Sequence, residues 1–169
     1  MMEIRRLRKE DLETRVAWMN NPAIYESMHF DVPVMLDKTI AWFERNQQRE
    51  DRLDFAFSDG LGGAILAFGG ITSINRDASK AETYLFVNPN EKHRGIGSKA
   101  KKLLCGYAFR ELGLNKLFVV TNEDNTASIA LQEKFGYRIE GRLREEYILA
   151  DGTRKDRLYY GLLKKEFKE

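Results

Sequence analysis

Glu82-Thr83-Tyr84-Leu85-Phe86-Val87-Asn88, the polar run from Pro89 to Arg94, and Gly95-Ile96-Gly97-Ser98-Lys99-Ala100 form the stretch that decides the fold. Its first part carries Tyr84, Phe86 and Val87, residues that suit a half-buried strand. Beyond the polar run, Leu103, Leu104, Tyr107 and Ala108 recur at helical spacing. The pattern predicts a helix from Gly97 or Ser98 to about Leu112, stopped by Gly113. Lys116 to Thr121 then reads as a short buried strand. A strand, a helix and a second strand in this order predict a parallel pair with a right-handed crossover.

The flanks read differently. Upstream, Leu53–Ser58, Ala64–Ile74 and Glu82–Asn88 are three strands separated by short turns, a meander pattern. Asp59-Gly60 and Gly62-Gly63 mark the first turn, and Gly69-Gly70 predicts a bend or bulge within the second strand. Near the N-terminus, Ile4 to Leu7 is a short strand. Asp11 is expected to cap a helix running to Met19, which Asn20-Asn21-Pro22 stops. A second helix spans Asp37 to about Gln48. Downstream, Asn125 caps a helix from Thr126 to Phe135, and Gly136 ends it. Tyr137–Leu149 and Arg154–Leu163 are strands joined by Asp151-Gly152, a strong hairpin signal. The order is β-α-α-β-β-β-α-β-α-β-β. This predicts one α+β domain over residues 1–169, with a mixed, mostly antiparallel twisted sheet of about seven strands and helices on both faces.

Composition narrows the function. The 169 residues are 43% hydrophobic and 32% charged, with a formal net charge of +2. So small a net charge gives no argument for nucleic acid. The N-terminus lacks a signal-peptide pattern, and no run approaches the roughly 20 apolar residues of a membrane span. The expectation is a cytoplasmic protein. The single cysteine, Cys105, sits among apolar residues and reads as a buried structural thiol. His29 and His93 share no ligand spacing, so no metal is expected.

Charge is concentrated from Glu91 to Lys102, where five Lys/Arg and one His face one acid. Alone, this is an ordinary solvated helix face. Beside Gly95 and Gly97 it becomes a candidate anion site, because glycine lets the backbone approach a ligand and a helix N-terminus offers N–H groups. The order G-x-x-x-x-G-K-[ST] of a nucleoside-triphosphate loop is absent. Gly95 to Ala100 does match G-x-G-x-x-A, but a polar run and a meander precede it, unlike a dinucleotide fold. These residues leave a dinucleotide and a coenzyme A pyrophosphate both open.

The segment Asn122-Glu123-Asp124-Asn125-Thr126-Ala127-Ser128-Ile129-Ala130-Leu131-Gln132-Glu133-Lys134-Phe135-Gly136-Tyr137 resembles a signature of the GCN5-related N-acetyltransferase (GNAT) superfamily. Lys92 to Gly97 resembles that family's coenzyme loop. The likeness is densest from Glu82 to Tyr137. At the ends, Trp18-Met19-Asn20-Asn21-Pro22 and Glu140-Gly141-Arg142-Leu143 are similar to the branch holding ribosomal-protein N-terminal acetyltransferases and some amino-sugar acetyltransferases.

The resemblance implies an acetyl-CoA N-acyltransferase fold, acetyl-CoA as co-substrate, and direct acetyl transfer to a primary amine. The acceptor would be a small molecule, a nucleotide-linked amino sugar among the options, or a protein N-terminus. A non-catalytic acyl-CoA-binding module is the reading from another class. Coenzyme contacts would come from Phe86 and Val87 at the strand end, from Lys92, His93, Arg94, Gly95, Ile96, Gly97 and Ser98 in the loop, and from Asn122, Asn125, Ser128 and Lys134. Glu82 is the expected general base. Backbone amides near Val87 would stabilise the oxyanion. Gln132 stands where many relatives carry a tyrosine that protonates the thiolate, and glutamine has no such proton. Tyr84 or Tyr137, a water, or no acid at all would then take that role, since a thiolate with a pKa of roughly 8.5 leaves without full protonation. Lys92 replaces the usual Gln or Arg. Trp18, Trp42 and Phe43 are expected to pack over the acceptor side. Asn20, His29, Asp156 and Tyr159 are weaker candidates for touching substrate. The exposed hairpin at Asp151 is consistent with a homodimer.

Overall fold

The computed structural model describes residues 1–28, 30–91 and 95–168. It contains seven strands: β1 (Met2–Arg6), β2 (Leu53–Asp59), β3 (Ile65–Asn75), β4 (Lys80–Val87), β5 (Lys116–Asn122), β6 (Arg138–Ile148) and β7 (Arg154–Leu163). The helices are α1 (Leu12–Met19), α2 (Pro22–Met28), α3 (Leu36–Asn46), α4 (Ile96–Gly106) and α5 (Thr126–Lys134). The strands form one mixed sheet in the order β1-β2-β3-β4-β5-β7-β6. The one parallel pair described sets Lys80, Ala81 and Glu82 of β4 against Lys116, Leu117 and Phe118 of β5. That is the pair predicted from the strand–helix–strand stretch.

Tertiary contacts divide the chain into two compact units. The first comprises residues 1–72 and 84–104, the second residues 73–83 and 105–169. β3 and β4 each run through both.

In the first unit, β2 is antiparallel to both β1 and β3. Leu7, Leu12, Trp18, Ile24, Ala56, Phe68 and Phe86 make its core, with Phe30, Trp42, Phe43 and Tyr84 packed against it. Two expectations need correction here, and one helix was not foreseen, although α1 does stop at Met19 as expected. Asp11 does not cap α1. Its carboxylate turns back to accept both Arg5 guanidinium nitrogens at 2.7 Å and the Arg8 N–H at 2.8 Å. The chain re-enters a helix, α2, at Pro22, where a missing N–H costs nothing. Asn21 Oδ1 accepts the Ala23 N–H at 3.0 Å and starts it. Finally, Gly69 and Gly70 mark no bulge against β2, since their register with Phe55 and Asp54 is continuous and the shift falls at Phe57/Ser58. These glycines make room. A Cβ at Gly70 would sit 2.3 Å from the Tyr84 ring, and one at Gly69 would sit 2.8 Å from the Tyr84 carbonyl oxygen.

In the second unit, β7 lies antiparallel between β5 and β6. After α4 the chain takes one wider turn, with Leu112 N–H reaching Tyr107 O at 3.2 Å. Asn125 caps α5 as expected, accepting the Ser128 N–H at 3.1 Å. Asp151-Gly152 closes the β6–β7 hairpin, with Gly152 at φ 84° and Asp151 Oδ1 accepting the Thr153 N–H. Cys105 is buried as a thiol outside any disulfide, its Sγ 3.6 Å from the Tyr137 hydroxyl.

Candidate active site

The glycine loop enters α4 as its residues require. Gly95 has φ +65°, a left-handed conformation that glycine adopts without strain, and no atom of the described residues beyond its chain neighbours stands within 4 Å of where its Cβ would be. Its carbonyl accepts the first helical bond, from Lys99 N–H at 3.0 Å. The Ile96 and Gly97 N–H groups precede that bond, so they point out of the helix end with the positive end of the dipole behind them. The Ile96 side chain is buried, and Gly97 and Ser98 are partly exposed. Lys101 is buried too, so it is withdrawn from the basic cluster, while Lys99 and Lys102 are exposed. Lys92, His93 and Arg94 lie outside the described residues, as does His29.

At the end of β4, the Phe86 ring is buried between Phe68 and Phe30, with centroids at 5.7 and 6.1 Å. Phe86 therefore has only its backbone to offer a ligand. Val87 is the last residue of the strand and partly exposed.

Tyr84 belongs to a polar group that the sequence reading did not assemble. Its hydroxyl donates to Asp54. The same carboxylate takes a two-pronged bond from Arg52, at 2.8 and 2.9 Å. Burial pushes the Tyr84 hydroxyl up to about 12, against the pull of the nearby Arg15 charge. Its proton is thus held at neutral pH and directed at Asp54. Arg15 is itself buried on α1. Its guanidinium carbon lies 5.1 Å from the Trp42 and Phe86 ring centroids and 5.8 Å from those of Phe68 and Tyr84. One signal was available: Arg15 falls between Leu12 and Trp18, both buried, on the apolar stripe of a short helix.

The second unit holds the remaining predicted positions. Glu82 is partly exposed beside Phe118, which stacks on Tyr159 with centroids 5.0 Å apart. Its charge is felt by the Tyr159 hydroxyl. Asn122 is buried and accepts from Arg157 Nε at 3.0 Å. Gln132, also buried, sets Nε2 3.4 Å from Ser128 Oγ, and its Oε1 has no partner. Lys134 is exposed at the end of α5. Burial raises the Tyr137 hydroxyl well above its ordinary value, reinforced by Cys105.

Two weaker candidates have structural duties. Asn20 exchanges two bonds with the Val34 backbone, at 2.7 and 2.9 Å. Asp156 accepts the Glu145 N–H and the Arg142 Nε, and these hold its carboxyl below the usual range. It thereby secures the irregular stretch of β6, where Glu145 has φ 51°.

A family model described as the acetyltransferase (GNAT) domain matches residues 2–138. The chain belongs to the GNAT acetyltransferases. The GNAT reading of the sequence holds, and with it the enzyme class, an acetyl-CoA-dependent N-acetyltransferase. A spermidine N(1)-acetyltransferase of Escherichia coli (strain K12) is 24% identical over 150 residues, covering 88% of this chain and 78% of that one. A Bacillus subtilis (strain 168) protein provisionally named a ribosomal N-acetyltransferase is 31% identical over 109 residues, covering 64% and 57%. Among solved structures, the spermidine N-acetyltransferase of Vibrio cholerae in complex with CoA and spermine superposes with a TM-score of 0.91 at 20% identity, covering 98% and 96%. It establishes the GNAT fold. Among the described residues, no helix is long and apolar enough to cross a membrane, and no group of three or more His, Cys, Asp or Glu suits a metal ion.

Proposed function

We propose that this chain transfers the acetyl group of acetyl-CoA directly to a primary amine on a small molecule. The supporting observation is the Vibrio cholerae neighbour, which shares the fold across 98% of the chain and holds CoA together with a small polyamine. The loop fits a coenzyme pyrophosphate: a left-handed Gly95, with no other described residue within 4 Å of its Cβ position, leads into outward N–H groups. Gly95, Ile96, Gly97 and Ser98, with Lys92, His93 and Arg94, would hold it. Phe86 and Val87 would contribute backbone groups to the acyl arm. Asn122, Asn125, Ser128 and Lys134 are the second unit's proposed contributions, with Asn125 still capping α5.

Bound acetyl-CoA supplies an activated thioester. An ammonium cannot attack it, so Glu82 would take the amine proton, directly or through a water. Backbone N–H groups near Val87 would stabilise the developing oxyanion. Tyr84 is the proposed acid. Its proton is committed to Asp54, so delivery to the thiolate would require breaking that bond.

The test is free-thiol release from acetyl-CoA across polyamines, amino acids, amino sugars with and without a nucleotide, and peptide N-termini. Release with a small amine supports the proposal. Release with peptide N-termini alone would replace it with protein modification, the reading that the Bacillus subtilis relative favours. No release with any amine would refute amine transfer.

A further inference from the structure

Arg15 is 5% exposed, and its Nη1 has no hydrogen-bond partner. Taking a guanidinium out of water without a counter-charge is costly. Four rings surround it: Trp42, Phe68, Tyr84 and Phe86. Cation–π contacts return part of that cost, but a ring face is a far weaker N–H acceptor than an oxygen. The nearby carboxylate is already spent. Asp54 receives both prongs of Arg52 and the Tyr84 hydroxyl. Arg15, Arg52 and Asp54 therefore sum to one uncompensated positive charge. Arg52 also lies over the Trp42 and Tyr84 rings, at 5.0 and 5.7 Å. Trp42 and Tyr84 are only partly buried, so they connect the guanidinium to the surface. Phe86, against which Arg15 packs, immediately precedes Val87 at the proposed acyl end of β4.

A box with this charge is hostile to a polycation and suited to an oxyanion. We propose that Arg15 binds a carboxylate or phosphate oxygen on the amine acceptor and so selects acceptors that carry one over polyamines. The selection rests on the amine-transfer reading above. It also needs a small movement of Trp42 or Tyr84, because Nη1 is closed to water.

The experiment compares amines in matched pairs: an amino acid against its decarboxylated amine, an amino sugar phosphate against the free amino sugar, and spermidine beside both. Steady-state kinetics are measured for the wild-type chain, Arg15→Lys and Arg15→Gln. In the wild type, kcat/KM for the oxyanion-bearing member is expected to exceed that of its partner at least about tenfold, with spermidine the poorer acceptor. Arg15→Gln should erase the preference, mostly through acceptor KM, and Arg15→Lys should restore part of it. The pair that shows the preference distinguishes carboxylate from phosphate. Should Arg15→Gln fail to fold, thermal shifts of the wild-type protein by the same pairs read the preference directly. Thiol release that favours spermidine, or that treats both members of every pair alike, overturns the inference while leaving amine transfer standing. No release from any amine removes the amine-transfer reading itself.

Discussion

Tyr84 shows how one side chain connects several observations. Its ring occupies the space that Gly70 leaves, and its hydroxyl is tied to Asp54. The folded chain holds its proton more tightly than an unfolded chain would. The stability this contributes is fully present below the ordinary tyrosine value near 10, and it is lost as pH rises from about 10 to about 12. Urea unfolding at stepped alkaline pH should show that decline, and Tyr84→Phe should make it shallower, leaving the part that buried Tyr137 contributes. Glu82 makes a different pH prediction. As a general base, Glu82→Gln should lower kcat strongly at neutral pH and less at high pH, where free amine is abundant. A loss of the same size at every pH would argue against the base. The sequence revealed Glu82 and Tyr84 as candidates because strand position and side-chain chemistry are local. It hid Asp54, Arg52 and Arg15, because their meaning lies in contacts between residues far apart along the chain.

At the scale of elements, α4 and α5 each begin at a residue proposed to meet the coenzyme. Asn125 fixes the start of α5 with a side-chain bond, so Asn125→Ala should cost about 1 kcal/mol of stability by chemical denaturation. An additional loss of coenzyme affinity would assign Asn125 a contact beyond its cap. Gly97 lies in the first turn of α4, and Gly97→Trp should abolish coenzyme A binding by calorimetry. Unchanged affinity would remove the loop from the site. Most elements were legible, since hydrophobic period and turn residues act locally. α2 was missed because Pro22 marks a helix start as readily as a stop, and only the Asn21–Ala23 bond distinguishes the two. Gly69-Gly70 was misread because the sequence shows that glycine is present but not which ring lies above it.

For the whole molecule, the parallel pairing of β4 with β5 was the decisive expectation, and the observed register confirms it. The acceptor was less legible than the fold. The proposed coenzyme loop is a short motif with fixed spacing, whereas the proposed acceptor box gathers side chains from α1, α3, β2 and β4. The comparisons show the same asymmetry: they establish the GNAT family but leave the amine to be determined.

The interleaving of the two compact units affects how the chain is made. Residues 73–83 leave the ribosome well before residues 105–169, the remainder of their unit. The first unit, by contrast, is waiting only for residues 84–104. During synthesis at roughly 5–20 residues per second, a nascent chain therefore carries an unsatisfied strand segment for several seconds. No stop codon can release either unit whole and alone, so truncated products of this gene should be substrates for chaperones and proteases.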